Sequence, residues 1–366
     1  MVENSCKDGA RSVSKMKQTE IGVIPEDWEV KELGEVLTFG SGRDYKHLKS
    51  GDIPVYGTGG IMTYVDDLLY QGESVGIGRK GTIDKPVYLT GKFWTVDTLF
   101  YTHSFKNILP KYTFYQFCRI PWKEYNEASG VPSLNKNTLS NIQIPLPPLP
   151  EQEAIAEALS DADVWIESLE QLIAKKRLIK QGAMQELLTP KEDWEVKKLG
   201  EVAEIYQPQT ISNSAFTSDG YLVYGANGII GKYHSYNHKL WQITITCRGS
   251  TCGTVNKTIE KVWITGNAMV VNVDNNASIN KLFLYYLLSS YDFSNCITGS
   301  GQPQIVRSPL IDYIVYLPSL SEQECIATIL SDMDAEIEAL EQKLDKAQQI
   351  KQGMMQELLT GRTRLV

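Results

Sequence analysis

The residues best suited to chemistry are short runs of cations and amides framed by glycine. Arg79 and Lys80 lie in Gly76-Ile77-Gly78-Arg79-Lys80-Gly81, and Arg248 stands with Ser250 and Thr251 in Cys247-Arg248-Gly249-Ser250-Thr251-Cys252-Gly253. Arg43 and Lys46 follow Gly40-Ser41-Gly42. Glycine allows the backbone to approach a ligand closely. A guanidinium grips a phosphate or the O6/N7 edge of guanine through two parallel hydrogen bonds. Asn135, Lys136 and Asn137 follow the turn at 129–132, and Gln302, Gln304 and Arg307 lie in and after its counterpart at 300–303. Their amides match adenine edges, although the same residues also serve turns and helix caps. Tyr56 and Tyr224, in a shared YGxxGI turn, read as structural. The chemistry these groups offer is recognition of a polyanion that carries bases.

Bond-making machinery is missing. No [DN]PP[YF]-like loop for methyl transfer occurs, and 141–148 has prolines in another arrangement. No GxxxxGK[ST] phosphate loop exists, because Lys80 is followed by Gly81. Glu29-Val30-Lys31 and Glu195-Val196-Lys197 resemble part of a nuclease motif but lack an upstream acid, and read as solvated amphipathic strands. His234, His238, Cys247 and Cys252 have metal-ligand types. Their spacing matches no common finger and the first half has no counterparts, so they read as unliganded and no metal is expected. No nucleophile–base pair is evident. The expectation is a protein without catalytic residues.

The elements that position these groups come from a duplication. Glu151–Thr189 and Glu322–Thr360 are about 25-of-39 identical at an offset of 171, and EDWEVKELGEV at Glu26–Val36 recurs as EDWEVKKLGEV at Glu192–Val202. The net charge of -8 is concentrated in the first repeat: 151–190 and 321–366 carry -4 each, while 26–150 and 192–320 carry -1 each. The acidic repeats hold a heptad seam, Ile155, Leu159, Ile166, Leu169 and Ile173 in one copy and Ile326, Leu330, Met333, Ile337, Leu340 and Leu344 in the other. Prolines 148 and 150 and a Ser321/Glu324 capping box signal their starts. Gly182 and Gly353 suggest a late bend, and Asp161/Asp163 with Asp332/Asp334 an alternative split into two helices.

The globular segments carry short β-branched runs bounded by Gly and Asn, with buried helices at TFYQFC and KLFLYYLLSSY. The predicted architecture is α+β, two α/β domains separated by two long antiparallel coiled-coil helices with pseudo-two-fold symmetry. The expected boundaries are a disordered leader 1–17, domains 18–150 and 191–320, and helices 151–190 and 321–366. A helix of ~26–38 residues spans roughly 40–57 Å, on the order of 10–15 base pairs of B-DNA. Such a pair would act as a spacer between two readers. The leader has no apolar signal-peptide core and no run approaches a membrane helix, so the expected location is the cytoplasm. Six scattered cysteines fit free thiols there.

The pattern GVIPEDWEVKxLGEV, a variable domain, then PLPPLPEQxxIAxxLSxxD and KKxxIKQGxMQELLTG closely resembles type I restriction–modification specificity subunits. It is carried by Gly22–Val36, Ile144–Asp163, Lys175–Thr189, Glu192–Val202 and Leu317–Gly361. The resemblance implies target-recognition domains that each read half of an interrupted DNA site, with helices that dock two methyltransferase (modification) subunits. Restriction subunits would join through those. S-adenosylmethionine and ATP would belong to the partners, and this chain would hold no cofactor. Met184, Leu187, Leu188, Met355, Leu358 and Leu359 in the repeated QGxMQELLT exceed what one seam needs and are candidates for docking a partner or for capping the opposite unit. Lys175-Lys176-Arg177 reads as a solvated basic patch. The competing reading is a duplicated coiled-coil scaffold that binds proteins without DNA.

Overall fold

The computed structural model describes residues 15–299 and 303–365. They divide into two units, one of the described residues up to Glu170 and from Lys343 onward, the other Gln171–Gln342. Each of the two long helices therefore gives one half to each unit.

In the first unit Met16–Thr19 pairs antiparallel with Gly22–Pro25, so Met16 and Lys17 are strand residues and not leader. Glu29–Glu32 pairs with Gln143–Leu146. One four-stranded sheet runs Gly60–Val65, Ser50–Gly57, Lys92–Thr95, Tyr70–Gln71, with the central pair parallel. A second runs Thr38–Ser41, Leu99–His103, Ser74–Gly78, Val87–Leu89. Ser74–Gly78 is buried on both faces, and such a strand reads as a continuous apolar run. Helix Pro110–Arg119 starts on a proline, whose fixed φ suits the first helical position. Its core gathers Trp28, Phe39, Ile77, Phe100, Tyr112, Phe117 and Trp122 with Ile155, Leu159, Leu358 and Leu359 from the long helices.

The second unit repeats this plan. Glu195–Lys198 pairs with Ile314–Leu317. Glu204–Tyr206, Ala268–Asn272, Ile243–Thr246 and Val255–Lys257 form one sheet, and Ile229–Tyr233, Tyr221–Tyr224 and Trp263–Ile264 the other. Helix Lys281–Ser289 is capped by Asn280.

The long helices, Leu149–Leu187 and Leu320–Leu358, have 39 residues each, about 58 Å at 1.5 Å per residue. Neither splits at the paired aspartates, since both run unbroken through these positions and through Gly182 and Gly353. The second starts one residue before the expected cap. Ser319 Oγ accepts the Glu322 N–H at 3.3 Å, which puts Ser321 inside the first turn. The seam holds: Ile155, Leu159, Leu169, Ile173, Ile326, Leu330, Ile337 and Leu340 are buried, and Ile166, Met333 and Leu344 half-buried.

The helices run antiparallel, and one polar contact marks it in each unit. Lys351 pairs with Asp163 in the first and Lys180 with Asp334 in the second. Tyr115 Oη donates to Asp163 at 2.8 Å and Tyr286 Oη to Asp334 at 2.7 Å, tying each globular helix to the pair. Gln152 Oε1 accepts the Leu109 N–H at 2.9 Å, and Gln323 Oε1 accepts the Asn280 N–H at 2.8 Å. Every member of these contacts is displaced by the repeat offset, as a pseudo-two-fold duplication requires.

The expected docking residues pack on the cores of the units. Leu358 and Leu359 are buried in the first core with Met355 against them, and Leu188 is buried in the second with Met184 and Leu187 packed on it. Each helix end has an apolar face wider than a seam because it closes a globular core. Leu188, Leu358 and Leu359 thus cap a globular unit and are not free for a partner, while Met184, Leu187 and Met355 stay half-exposed. The basic patch is engaged too: Lys176 pairs with Glu336 and Arg177 with Glu341. Among the described residues no helix is long and apolar enough to cross a membrane.

Candidate nucleic-acid interface

The two sets of loop residues chosen from the sequence meet in each unit. The strand Ser74–Gly78 ends on Gly78, where a Cβ would sit 1.9 Å from the Thr82 carbonyl oxygen. The turn that follows is pinned by backbone: Arg79 N–H donates to Thr98 O at 2.8 Å, Gly81 N–H to Pro132 O at 2.9 Å, and Leu134 N–H to Arg79 O at 2.9 Å. Lys80 and Ser133 thus face one another as a bridge. In the second unit Gly249 N–H donates to Pro303 O at 3.2 Å and Ile305 N–H to Cys247 O at 2.9 Å, which sets Arg248 against Gln304. Gly81 and Gly249 share a φ of +87°, open to glycine and strained for other residues. The backbone matches Lys80 with Arg248 and Arg79 with Cys247. Ser250 and Thr251 are exposed beside Arg248, and Arg307 opens the helix Arg307–Ile311 with its side chain exposed. Gln302 lies outside the described residues.

Arg79 and Lys136 approach the same ring in the first unit. The Arg79 guanidinium and Lys136 ammonium each lie 5.8 Å from the centre of the buried Phe100 ring. Burial and then Arg79 hold the Lys136 pKa below its ordinary value. Arg43 is fixed at its backbone, with its N–H on Thr95 O at 2.8 Å and its carbonyl accepting Trp94 Nε1 at 2.8 Å, while its side chain stays exposed. Lys46 is exposed as well. Beside them Tyr70, Phe93, Tyr101 and His103 form a ring cluster with centroids 5.6–6.1 Å apart, half-buried apart from Phe93. Sequence reasoning passed over Tyr101 and His103. Their signal was the two-residue alternation in Leu99-Phe100-Tyr101-Thr102-His103, which puts both on one face of a strand. Burial, then Lys136, lowers the His103 pKa, which favours the neutral ring.

Several other candidates are engaged in structural contacts. Asn135 caps the helix Lys136–Ser140 by accepting the Thr138 N–H at 2.9 Å and donates its amide to Glu127, leaving little of it for a base. Asn137 is exposed. Tyr56 and Tyr224 are half-buried, with Tyr56 edge-on to Phe93 at 6.4 Å. His238 faces Tyr206 Oη at 2.8 Å through Nε2 and Asn237 Oδ1 at 2.6 Å through Nδ1, so hydrogen bonds use both ring nitrogens. Cys247 is buried against the Ile245 carbonyl, and burial pushes its pKa up to about 11. Such an environment suits a packed thiol.

Two α+β modules with the same pinned turn and different side chains on it define a duplicated DNA-recognition protein. The chain belongs to the type I restriction–modification DNA specificity family, whose domain model matches it twice, at residues 25–176 and 191–350. It is 26% identical over 410 residues to the type I restriction enzyme MjaVIII specificity subunit of Methanocaldococcus jannaschii, covering 93% of this chain and 94% of that one. Against the EcoprrI specificity subunit of Escherichia coli it is 30% identical over 158 residues, 41% of this chain and 39% of the other. The fold matches the crystal structure of a type I S subunit from M. genitalium with a TM-score of 0.68 at 17% identity, over 94% of this chain and 98% of that one.

Proposed function

We propose that this chain is the DNA-reading subunit of a type I restriction–modification complex, and that each unit reads one half of an interrupted target. The long helices set the gap and, by their exposed faces, dock two methyltransferase subunits, through which restriction subunits join. The chain performs no bond-making step itself. S-adenosylmethionine and ATP act in the partners, and the assembly works in the cytoplasm.

One observation carries this reading. The same backbone turn presents Lys80 against Ser133 in one unit and Arg248 against Gln304 in the other. A shared frame with exchanged donors and acceptors is what two readers of different base sequences need. Arg79 and Lys136 in the first unit stand where Cys247 and Arg307 stand in the second, which changes the charge offered without changing the turn.

The test is co-expression with the adjacent methyltransferase, followed by genome-wide mapping of methylated adenines. The expected motif is bipartite, and exchanging residues 37–140 for those of a relative alters one half of it. A change in both halves, or in neither, sinks the assignment of one unit per half. Inserting a heptad within 175–185 is expected to lengthen the gap while both half-sites persist.

A further inference from the structure

Each unit exposes large aliphatic side chains at the tip of one edge hairpin. In the first, Ser50–Gly57 and Gly60–Val65 join through Thr58-Gly59, and Ile61 and Met62 are 50% and 58% exposed. In the second, Tyr221–Tyr224 and Ile229–Tyr233 form the equivalent hairpin, with Ile229 and Ile230 at 55% and 48%. The second aliphatic of each pair folds back over a glycine. A Cβ on Gly57 would meet Met62 Sδ at 2.6 Å, and one on Gly225 would meet Ile230 Cγ2 at 2.8 Å. Both tips are therefore built the same way, although the loops around them have diverged. Exposed aliphatics on an edge strand invite aggregation, so keeping them twice points to a use.

The tips sit beside the cationic loops. Val96 N–H donates to Tyr56 O at 3.0 Å while Arg43 N–H donates to the preceding carbonyl, that of Thr95, so the first hairpin and the Arg43 loop share one strand end. In the second unit Thr246 Oγ1 donates to Ala226 O within the tip, two residues before Arg248. An apolar point bordered by an exposed arginine suits a duplex, which offers a phosphate to the cation and an apolar base stack to the wedge.

We propose that Ile61–Met62 and Ile229–Ile230 are wedges, each of which presses into a base-pair step of the half-site its unit reads and partly unstacks it. The neighbouring Arg43 or Arg248 holds the adjacent phosphate. This rests on the DNA reading proposed above and adds that the chain deforms its target.

The test uses the full chain assembled with its methyltransferase subunits, on a duplex carrying the mapped motif. Thymines are probed with permanganate, and 2-aminopurine is placed one step away from the methylated adenine. The variants are Ile61→Ser with Met62→Ser, and Ile229→Ser with Ile230→Ser; leucine pairs at the same positions keep the apolar tip. Unchanged thermal melting confirms that each variant folds. Wild type and the leucine variants are expected to unstack one step in each half-site. Each serine variant loses that signal in its own half only and binds roughly tenfold more weakly. Serine variants that unstack DNA as wild type does overturn the wedge and leave the DNA reading intact. Wild type that prefers the motif no more than an unrelated duplex overturns the DNA reading itself. Loss of methyltransferase co-purification with unchanged unstacking makes the tips a protein surface and refutes the proposal.

Discussion

The two units close their cores over matching tryptophans in different ways. In the first, Trp28 Nε1 donates to Glu151 Oε2 at 2.8 Å, and Glu151 is fully buried. Arg364 grips that carboxylate and also binds Asp27 with Nη1 and Nη2 at 2.9 and 2.8 Å. Gly361, at φ +69°, admits the tail beside Pro25, where a Cβ would fall 2.4 Å from the proline ring. In the second unit the chain passes from Leu188 to Trp194 without a break, and the counterpart of Glu151, Glu322, meets Lys191 at 2.6 Å in a more exposed pair. Trp194 Nε1 is buried without a hydrogen-bond partner. The first unit ties the tail to its core through Arg364 and through the buried Leu358 and Leu359, whereas in the second the chain itself is continuous across the junction.

Three measurements sharpen or break this contrast. The largest effect is expected for Arg364→Ala, which leaves the buried Glu151 carboxylate without its cation and costs about 3 kcal/mol. Amide exchange should show protection falling across the first unit and holding in the second; equal loss in both would end the idea of a local clasp. Next come the tryptophans. Trp28→Phe removes a donor from the same carboxylate and costs about 2 kcal/mol, whereas Trp194→Phe removes an unpaired N–H and is expected to be near neutral. Chemical denaturation of the two variants gives the comparison, and similar losses would contradict it.

The smallest effect is the pH dependence. The Arg364 guanidinium beside Asp27 holds its carboxyl below the usual carboxylate range. The stability this adds is therefore complete above the unfolded-state value and fades as pH falls through it toward the folded value. A melting-temperature series from neutral to acid pH should show a steeper decline for wild type than for Asp27→Asn. Parallel curves would remove Asp27 from the clasp.

Much of the design was legible from residues alone. Repeats at a constant offset, the heptad spacing from Ile326 to Leu344, and the glycine-framed cations are local or periodic signals, and each kept its place in three dimensions. Leu188, Leu358 and Leu359 turned out to cap globular cores, because the apolar pattern of a helix does not say which surface it serves. Asn135 caps a helix for a similar reason, since an amide that suits adenine also suits a cap. The aromatic cluster at Tyr70 and Tyr101 went unseen because those residues are far apart in sequence and meet only when two sheets fold together.

By itself, the sequence determined the duplication, the alternation of globular and helical segments, and where glycine permits a tight turn, because each follows from composition and spacing along the chain. Tertiary structure alone decided that Lys80 faces Ser133 and Arg248 faces Gln304, that half of each helix serves each core, and that Arg364 clamps Glu151. Those contacts join residues separated by tens to hundreds of positions. Their energy depends on burial and charge geometry that no local pattern encodes.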